Sequence, residues 1–294
     1  TRMLFGNNFD EIKVKTNGAE IFLTHGGAGP PLLLLHGYPQ THVMWHAVAT
    51  RLAESFHVIC PDLRGYGDSS KPSGTADHYT YSKRAMAEDM VEVMESLGYS
   101  EFLVAGHDRG ARVTHRMALD FPEKIQKACL MDIMPTLHMF KHTDQEFATG
   151  YYHWFFLIQP DGLPEHLIGA DPAFYLKSKL KKWSAPGSTF TEEAMAEYIR
   201  CFSQPATIHA TCEDYRAAAS IDLQHDEEDL NKKIQCPLLV LWGSKGFVDR
   251  TYDVLDVWQN RALDLKGKAL DCGHFLPEEA PVSVAEELQH FFGS

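Results

Sequence analysis

The stretch GHDRGARVTHRMALD, residues 106–120, sets Asp108 between Gly106 and Gly110, directly after the apolar run FLVAG and before a helical pattern. This has the form G-x-nucleophile-x-G, a tight strand-to-helix turn whose glycines permit the crowding that pushes the central side chain into the open. A carboxylate at that position suits attack on a saturated, electrophilic carbon, with displacement of a leaving group and formation of an ester on the protein. Water must then cleave the ester, and water needs a general base. Among the 16 histidines, His274 in DCGHFLPEEAP is the best placed, on a loop between the last predicted strand and the last predicted helix, completing the chain order nucleophile, acid, histidine.

The base needs an acid to orient it. The pattern WGxxD after the strand VLWGSKGFVD would place that acid at position 246, which is Gly246. Asp132 in LMDIMP ends the preceding core strand and points from the same carboxyl edge of the sheet, so it is preferred to Asp249. HGYPQ, residues 36–40, is the loop after another core strand, and the backbone N–H of Tyr38, with that of Arg109, is placed to hold an oxyanion during ester hydrolysis. Arg109 and Arg112 stand at i and i+3 beside the nucleophile. Two guanidiniums so spaced can fix a small carboxylate by charge-assisted forks and leave its α-carbon facing Asp108.

The elements that must carry these residues alternate. Residues 12–24 read as a hairpin and PPLLLLHGYPQ as a buried parallel strand running into a Gly/Pro loop; a helix follows over about 42–54. FHVICPDLRGYGDSS reads as strand and loop, 81–97 as an amphipathic helix, FLVAG as a strand and 109–120 as a helix. Strands follow at KACLMDI, PLLVLWG and near 268–272, with a closing helix at PVSVAEELQHFF, which together predict a mostly parallel, doubly wound α/β sheet. Between 136 and 224 the alternation gives way to a helical stretch that holds 14 of the chain's 33 Phe, Trp and Tyr. That excess suits a lid over an apolar pocket, so 136–224 is predicted as a cap on a core of 1–135 and 225–294.

Composition narrows the function classes. The chain has 294 residues, 44% hydrophobic and 23% charged, and no window approaches the roughly 18 apolar residues that span a membrane. TRMLFGNNFDE has no basic region followed by an apolar run, so a cytoplasmic location is expected. The six cysteines are dispersed without metal-site or disulfide-framework spacing and are read as reduced. A net charge of −13 opposes nucleic-acid binding. The one dense basic run, KSKLKKW at 177–183, is expected to be a solvated helix face, and HDEEDLNKK at 225–233 a solvated return into the core. An acidic protein repels a small anion at long range, so an anionic substrate would need locally fixed arginines.

With LLLLHGYPQTHVMWH, PDLRGYGDS, GHDRGARVTHRMALD, MDIMPT, YYHWFFLIQP, CEDYRAAASIDLQHD and GHFLPEEAP, the chain resembles the fluoroacetate and haloacetate dehalogenases over nearly its whole length. The resemblance implies an α/β-hydrolase fold with a helical cap, Asp108 as nucleophile, His274 as base and Asp132 as its partner. It implies that Arg109 and Arg112 grip a substrate carboxylate, that no metal or organic cofactor is needed, and that the protein is a homodimer. The family's halide-binding trio maps onto His153, Trp154 and Tyr215, which offer an imidazole N–H, an indole N–H and a phenol O–H. Many family members have Phe where this chain has Tyr38, which leaves the backbone role intact. Haloalkane dehalogenases share the elbow but carry Trp after the nucleophile, so Arg109 favours an anionic haloacid. An epoxide hydrolase would use the same Asp, His and Asp with Tyr152 and Tyr215 as proton donors, and a ligand-binding receptor on the same fold is a third reading. Tyr151 and Tyr152 either line the pocket or pack the cap.

Overall fold

In the computed structural model, which describes residues 2–294, the apolar runs become the middle of an eight-stranded sheet. The strands are β1 (Phe9–Lys15), β2 (Glu20–Gly26), β3 (Pro31–Leu35), β4 (His57–Pro61), β5 (Phe102–His107), β6 (Ile125–Met131), β7 (Leu238–Gly243) and β8 (Leu265–Leu270), in spatial order β1-β2-β4-β3-β5-β6-β7-β8. Leu32–Leu35 are fully buried and every residue of β5 is buried, as expected of parallel strands covered on both faces. β1 and β2 form an antiparallel hairpin, β2 runs antiparallel to β4, and the remaining neighbours are parallel. β1, an edge strand, is mostly exposed and carries Lys13 and Lys15, charges that discourage pairing with another chain.

Helices Lys83–Ser96 and Arg109–Asp120 pack on one another, as do His46–Leu52 and Pro281–Gly293. Between β6 and β7 the chain runs through eight helices, from Thr136–Lys141 to Ile221–Glu228. Their starts are set by short polar residues. Asp144 accepts from the Phe147 N–H at 2.8 Å, Asp171 from the Phe174 N–H at 3.0 Å with Pro172 next to it, and Thr191 caps Glu192–Phe202 through the Ala194 N–H. No helix among the described residues is long and apolar enough to cross a membrane.

Because β3, β5, β6 and β7 are neighbours and parallel, the loops bearing Tyr38, Asp108 and Asp132 and the end of β7 at Gly243 stand side by side at one sheet edge. Carboxyl ends of adjacent parallel strands are where such sheets bind ligands.

Candidate active site

β5 ends at His107, and Asp108 turns the chain with φ 52° and ψ −118° before the helix starts at Arg109. A non-glycine residue with positive φ costs about 1–2 kcal/mol, so the surroundings must enforce it. They do so by close packing: a Cβ on Gly110 would lie 2.3 Å from the His36 carbonyl oxygen and 2.4 Å from that of Leu35. The helix start is thus pressed against the end of β3, and the Tyr38 N–H donates to Asp108 Oδ2 at 2.8 Å. The Arg109 N–H makes no bond to that carboxylate among the described residues, so only one of the two expected oxyanion donors is engaged.

Asp132, the residue after β6, also has positive φ, 56°. Its Oδ1 accepts from the Gly243 N–H at 2.9 Å and its Oδ2 from His274 Nδ1 at 2.5 Å, while His274 Nε2 lies 3.5 Å from Asp108 Oδ1. Asp249 is engaged elsewhere, accepting from Trp242 Nε1 at 2.8 Å. Burial works against a charged His274, but its hydrogen bonds and charge interactions with Asp108 and Asp132 prevail and push its pKa up to about 10. Burial likewise opposes ionisation of Asp108, yet His274 and Arg109 hold that carboxyl well below the usual range. The two groups thus favour one another's charged forms. His107 Nε2 donates to the His274 carbonyl at 2.6 Å and steadies the loop from below.

Arg109 is fully buried. Its Nε and Nη2 donate to Asp214 Oδ1 at 3.3 and 3.1 Å, and Asp214 also receives the Tyr66 hydroxyl at 2.7 Å and Lys83 Nζ at 2.5 Å. Arg109 Nη1 has no partner among the described residues. Arg112 is bonded to uncharged acceptors: the Met134 carbonyl at 2.7 Å, Thr136 Oγ1 at 3.0 Å and Met139 Sδ at 3.5 Å, with Nε unpartnered. Burial, and then the neighbouring Arg109 charge, draw the Arg112 pKa down to about 10. Two aromatic faces support the pair, Tyr215 at 4.0 Å from Arg109 and Trp154 at 4.7 Å from Arg112.

His153, Trp154 and Tyr215 are all buried, with ring centroids 5.3 Å apart for His153–Tyr215 and 6.5 Å for Trp154–Tyr215. His153 Nδ1 and Tyr215 Oη lack partners among the described residues. Burial keeps the His153 imidazole neutral, so it carries one N–H to give. A cavity of about 70 Å³ reaches His274 between Tyr151, Trp183 and Phe247, with the cations Lys182, Lys245 and Arg250 beside it. Tyr151 therefore lines this cavity, whereas Tyr152 does not, is 41% exposed and carries the Lys179 ammonium over its ring.

Sequence reasoning missed several residues. Asp214 stands next to Tyr215 in CEDYRA, but its partner Arg109 is 105 residues away and no local pattern links them. Trp183, read as part of a solvated basic run, contacts both His153 and His274, at 4.6 and 5.7 Å between ring centroids. In the same run Lys179 is buried, its ammonium 3.5 Å from the Tyr152 ring centroid, and burial lowers its pKa to about 7. HDEEDLNKK is not simply solvated either: Asp226 and Asp229 pair with Arg116 at 2.9 and 2.5 Å. All six cysteines are free. Ligand atoms of Asp68, Glu197 and Cys201 lie within 4.8 Å of one another, but Arg200 ion-pairs with both acids and occupies that cluster.

The family model for the alpha/beta hydrolase fold matches residues 30–281. A fluoroacetate dehalogenase from Burkholderia sp is 44% identical over 284 residues, 96% of this chain and 93% of that protein. A soluble epoxide hydrolase from Corynebacterium sp. (strain C12) is 36% identical over 285 residues, covering 94% of each. Among solved structures, a Nostoc sp PCC 7120 protein described as an alpha/beta hydrolase superposes with a TM-score of 0.96 at 61% identity, over 97% of this chain and 98% of that one. By this match and by its sheet, the chain is an enzyme of the α/β-hydrolase family.

Proposed function

We propose that the protein is a haloacetate dehalogenase, hydrolysing fluoroacetate to glycolate and fluoride. The observation that carries this reading is Arg112, a buried guanidinium with no carboxylate among its hydrogen-bond partners, beside Arg109 Nη1, also unpartnered. A buried cation held by neutral acceptors is costly unless an anion arrives, and a substrate carboxylate supplies that anion. Asp108 Oδ2 is held by the Tyr38 N–H, which leaves Oδ1 to attack the α-carbon. The carbon–halogen bond breaks, the halide leaves with the electron pair, and His153, Trp154 and Tyr215 donate to it as its charge grows. Donors that tighten in this way stabilise the transition state more than the ground state.

The ester has no charge on Asp108. One of the two carboxylates that keep His274 protonated is thereby lost, its pKa falls, it gives its proton to solvent, and the neutral imidazole can then take a proton from water. Hydroxide attacks the Asp108 carboxyl carbon, the oxyanion is held by the Tyr38 N–H, and glycolate leaves with the Asp108 carboxylate restored. The sum is haloacetate plus water giving glycolate, halide and a proton, with residues 136–224 as the cap domain, 1–135 and 225–294 as the core, and no cofactor. The family resemblance also supports a homodimer, to be checked by sedimentation.

Halide release from purified protein with fluoroacetate and chloroacetate, Asp108→Asn as blank and a neutral haloalkane as charge control, tests the reading. Release from the acetates only is the expected result; silence with both acetates overturns it. The second reading is an epoxide hydrolase, favoured by the unpartnered Tyr215 hydroxyl and the Corynebacterium relative. Tyr152 is too exposed to be its second proton donor, and styrene oxide turnover separates the two.

A further inference from the structure

Glu279 lies outside the reacting centre, yet it is bonded to both sides of His274. Its Oε1 accepts from the Gly273 N–H at 3.1 Å and its Oε2 from the Phe275 N–H at 2.8 Å. The same Oε1 reaches the helical insertion, accepting from the Ala185 N–H at 2.7 Å and the Ser188 hydroxyl at 2.6 Å. Alongside, the His274 N–H donates to the Trp183 carbonyl at 2.8 Å, and a Cβ on Gly273 would lie 2.4 Å from the Ala185 nitrogen. Three consecutive amides, 273–275, are therefore tied either to Glu279 or to the insertion, and among the described residues Glu279 is the one side chain joined to both.

We infer that Glu279 is a positioning residue: its carboxylate locks the His274 loop to segment 183–188 of the insertion and so sets the imidazole for ester hydrolysis. The inference rests on the reading of His274 as the base. Four donors converge on this carboxylate, and charge-assisted bonds of this kind are roughly twice as strong as neutral ones. Two steps of the proposed reaction respond differently. Formation of the ester needs Asp108, the arginines and the halide donors, none of which Glu279 touches; hydrolysis needs His274 within reach of a water. A displacement of about 1 Å in a reacting group lowers a rate by about a hundredfold.

The experiment compares wild type, Glu279→Gln and Glu279→Ala with chloroacetate by rapid quench, with intact-protein mass spectrometry and hydrogen exchange of the 273–275 amides. In Glu279→Ala the first turnover releases one halide per site near the wild-type rate. Steady-state kcat then falls by about ten- to a hundredfold, consistent with a small misplacement, and protein carrying one carboxymethyl group accumulates. Glu279→Gln keeps the volume and one acceptor oxygen and serves where the alanine variant fails to fold; its fall is smaller and of the same kind. Equal losses in the first and later turnovers, with no ester, overturn the proposal, as does unchanged kcat. Hydrogen exchange needs no turnover: faster exchange at 273–275 in the variants is expected even if wild type releases no halide. That combination would fault the haloacetate reading and leave the lock standing, whereas unchanged exchange faults the lock itself.

Discussion

Arg109 and Asp214 are joined at 3.1 Å with both side chains fully buried, and this pairing decides what the neighbouring Arg112 is left to do. Arg109 has its counterion within the protein and keeps Nη1 without a partner among the described residues, whereas Arg112 is hydrogen-bonded to uncharged acceptors alone, which in the proposed function leaves it for the substrate carboxylate.

Arg112→Met is therefore expected to separate stability from activity. Loss of the bonds to Met134 and Thr136 is offset by removal of a buried charge without a carboxylate, so unfolding free energy stays within about 1 kcal/mol of wild type. KM for chloroacetate rises by roughly a hundredfold, the worth of one or two charge-assisted hydrogen bonds. Chemical denaturation and initial rates measure the two; a parallel collapse of both would mean that Arg112 is structural.

The Tyr38 side chain should matter little. Its hydroxyl donates to Tyr175 Oη at 3.1 Å, whereas the backbone N–H serves Asp108. Tyr38→Phe is expected to lower stability by no more than about 1 kcal/mol, the usual worth of a neutral hydrogen bond, and to keep kcat within a few-fold. A large fall in kcat would assign the phenol a role in the chemistry.

Moving the acid tests how His274 is oriented. A Cβ on Gly246 would lie 3.8 Å from Asp132 Oδ1 and 3.3 Å from the Gly243 carbonyl oxygen, so a side chain can start there, toward Asp132, with a small shift of that carbonyl. Gly246→Asp is expected to lower halide release, because two carboxylates then crowd one imidazole. Asp132→Asn should be nearly inactive, and the double variant should recover part of that loss. No recovery would show that position 246 cannot reach the imidazole.

Asp62 links the loops that flank the site to acid stability. It accepts from the His42 N–H and from His42 Nδ1, both at 2.8 Å, and although burial opposes its charge, His42 brings its pKa down to about 2. A folded-state value below the unfolded one gives stability that is present above the unfolded pKa near 4 and lost as pH falls through 2. The contribution is about 2 kcal/mol. Urea midpoints measured from pH 5 to pH 2 should fall more steeply in wild type than in Asp62→Asn; matching slopes would remove Asp62 from the account.

The sheet was legible because its signals are local. Leu32–Leu35 and FLVAG are unbroken apolar runs, and they become β3 and β5 at the sheet's centre. The sequence predicts a strand near 268–272, but β8 spans Leu265–Leu270, since an edge strand with alternating exposure has no apolar run to mark its start. The predicted helix over 42–54 begins as a 3₁₀ turn, His42–Trp45, before continuing as His46–Leu52. At the site, the elbow and the His274 loop announce themselves by neighbouring residues. Asp214, Trp183 and Glu279 do not, because each acts on a group brought to it by the fold: charge and aromatic type are visible in sequence, but the partner is not. Lys179 shows the converse, a residue that looks like surface charge until three aromatic rings are found around it.

Asp108 and Asp132 both sit where the backbone takes positive φ, 52° and 56°, a conformation that glycine or asparagine accepts more readily than aspartate held beside other charges. The backbone cost at each is offset by the hydrogen bonds its carboxylate accepts, from the Tyr38 N–H at Asp108 and from the Gly243 N–H and His274 at Asp132, so resistance to heat draws on the same two acids as the proposed chemistry.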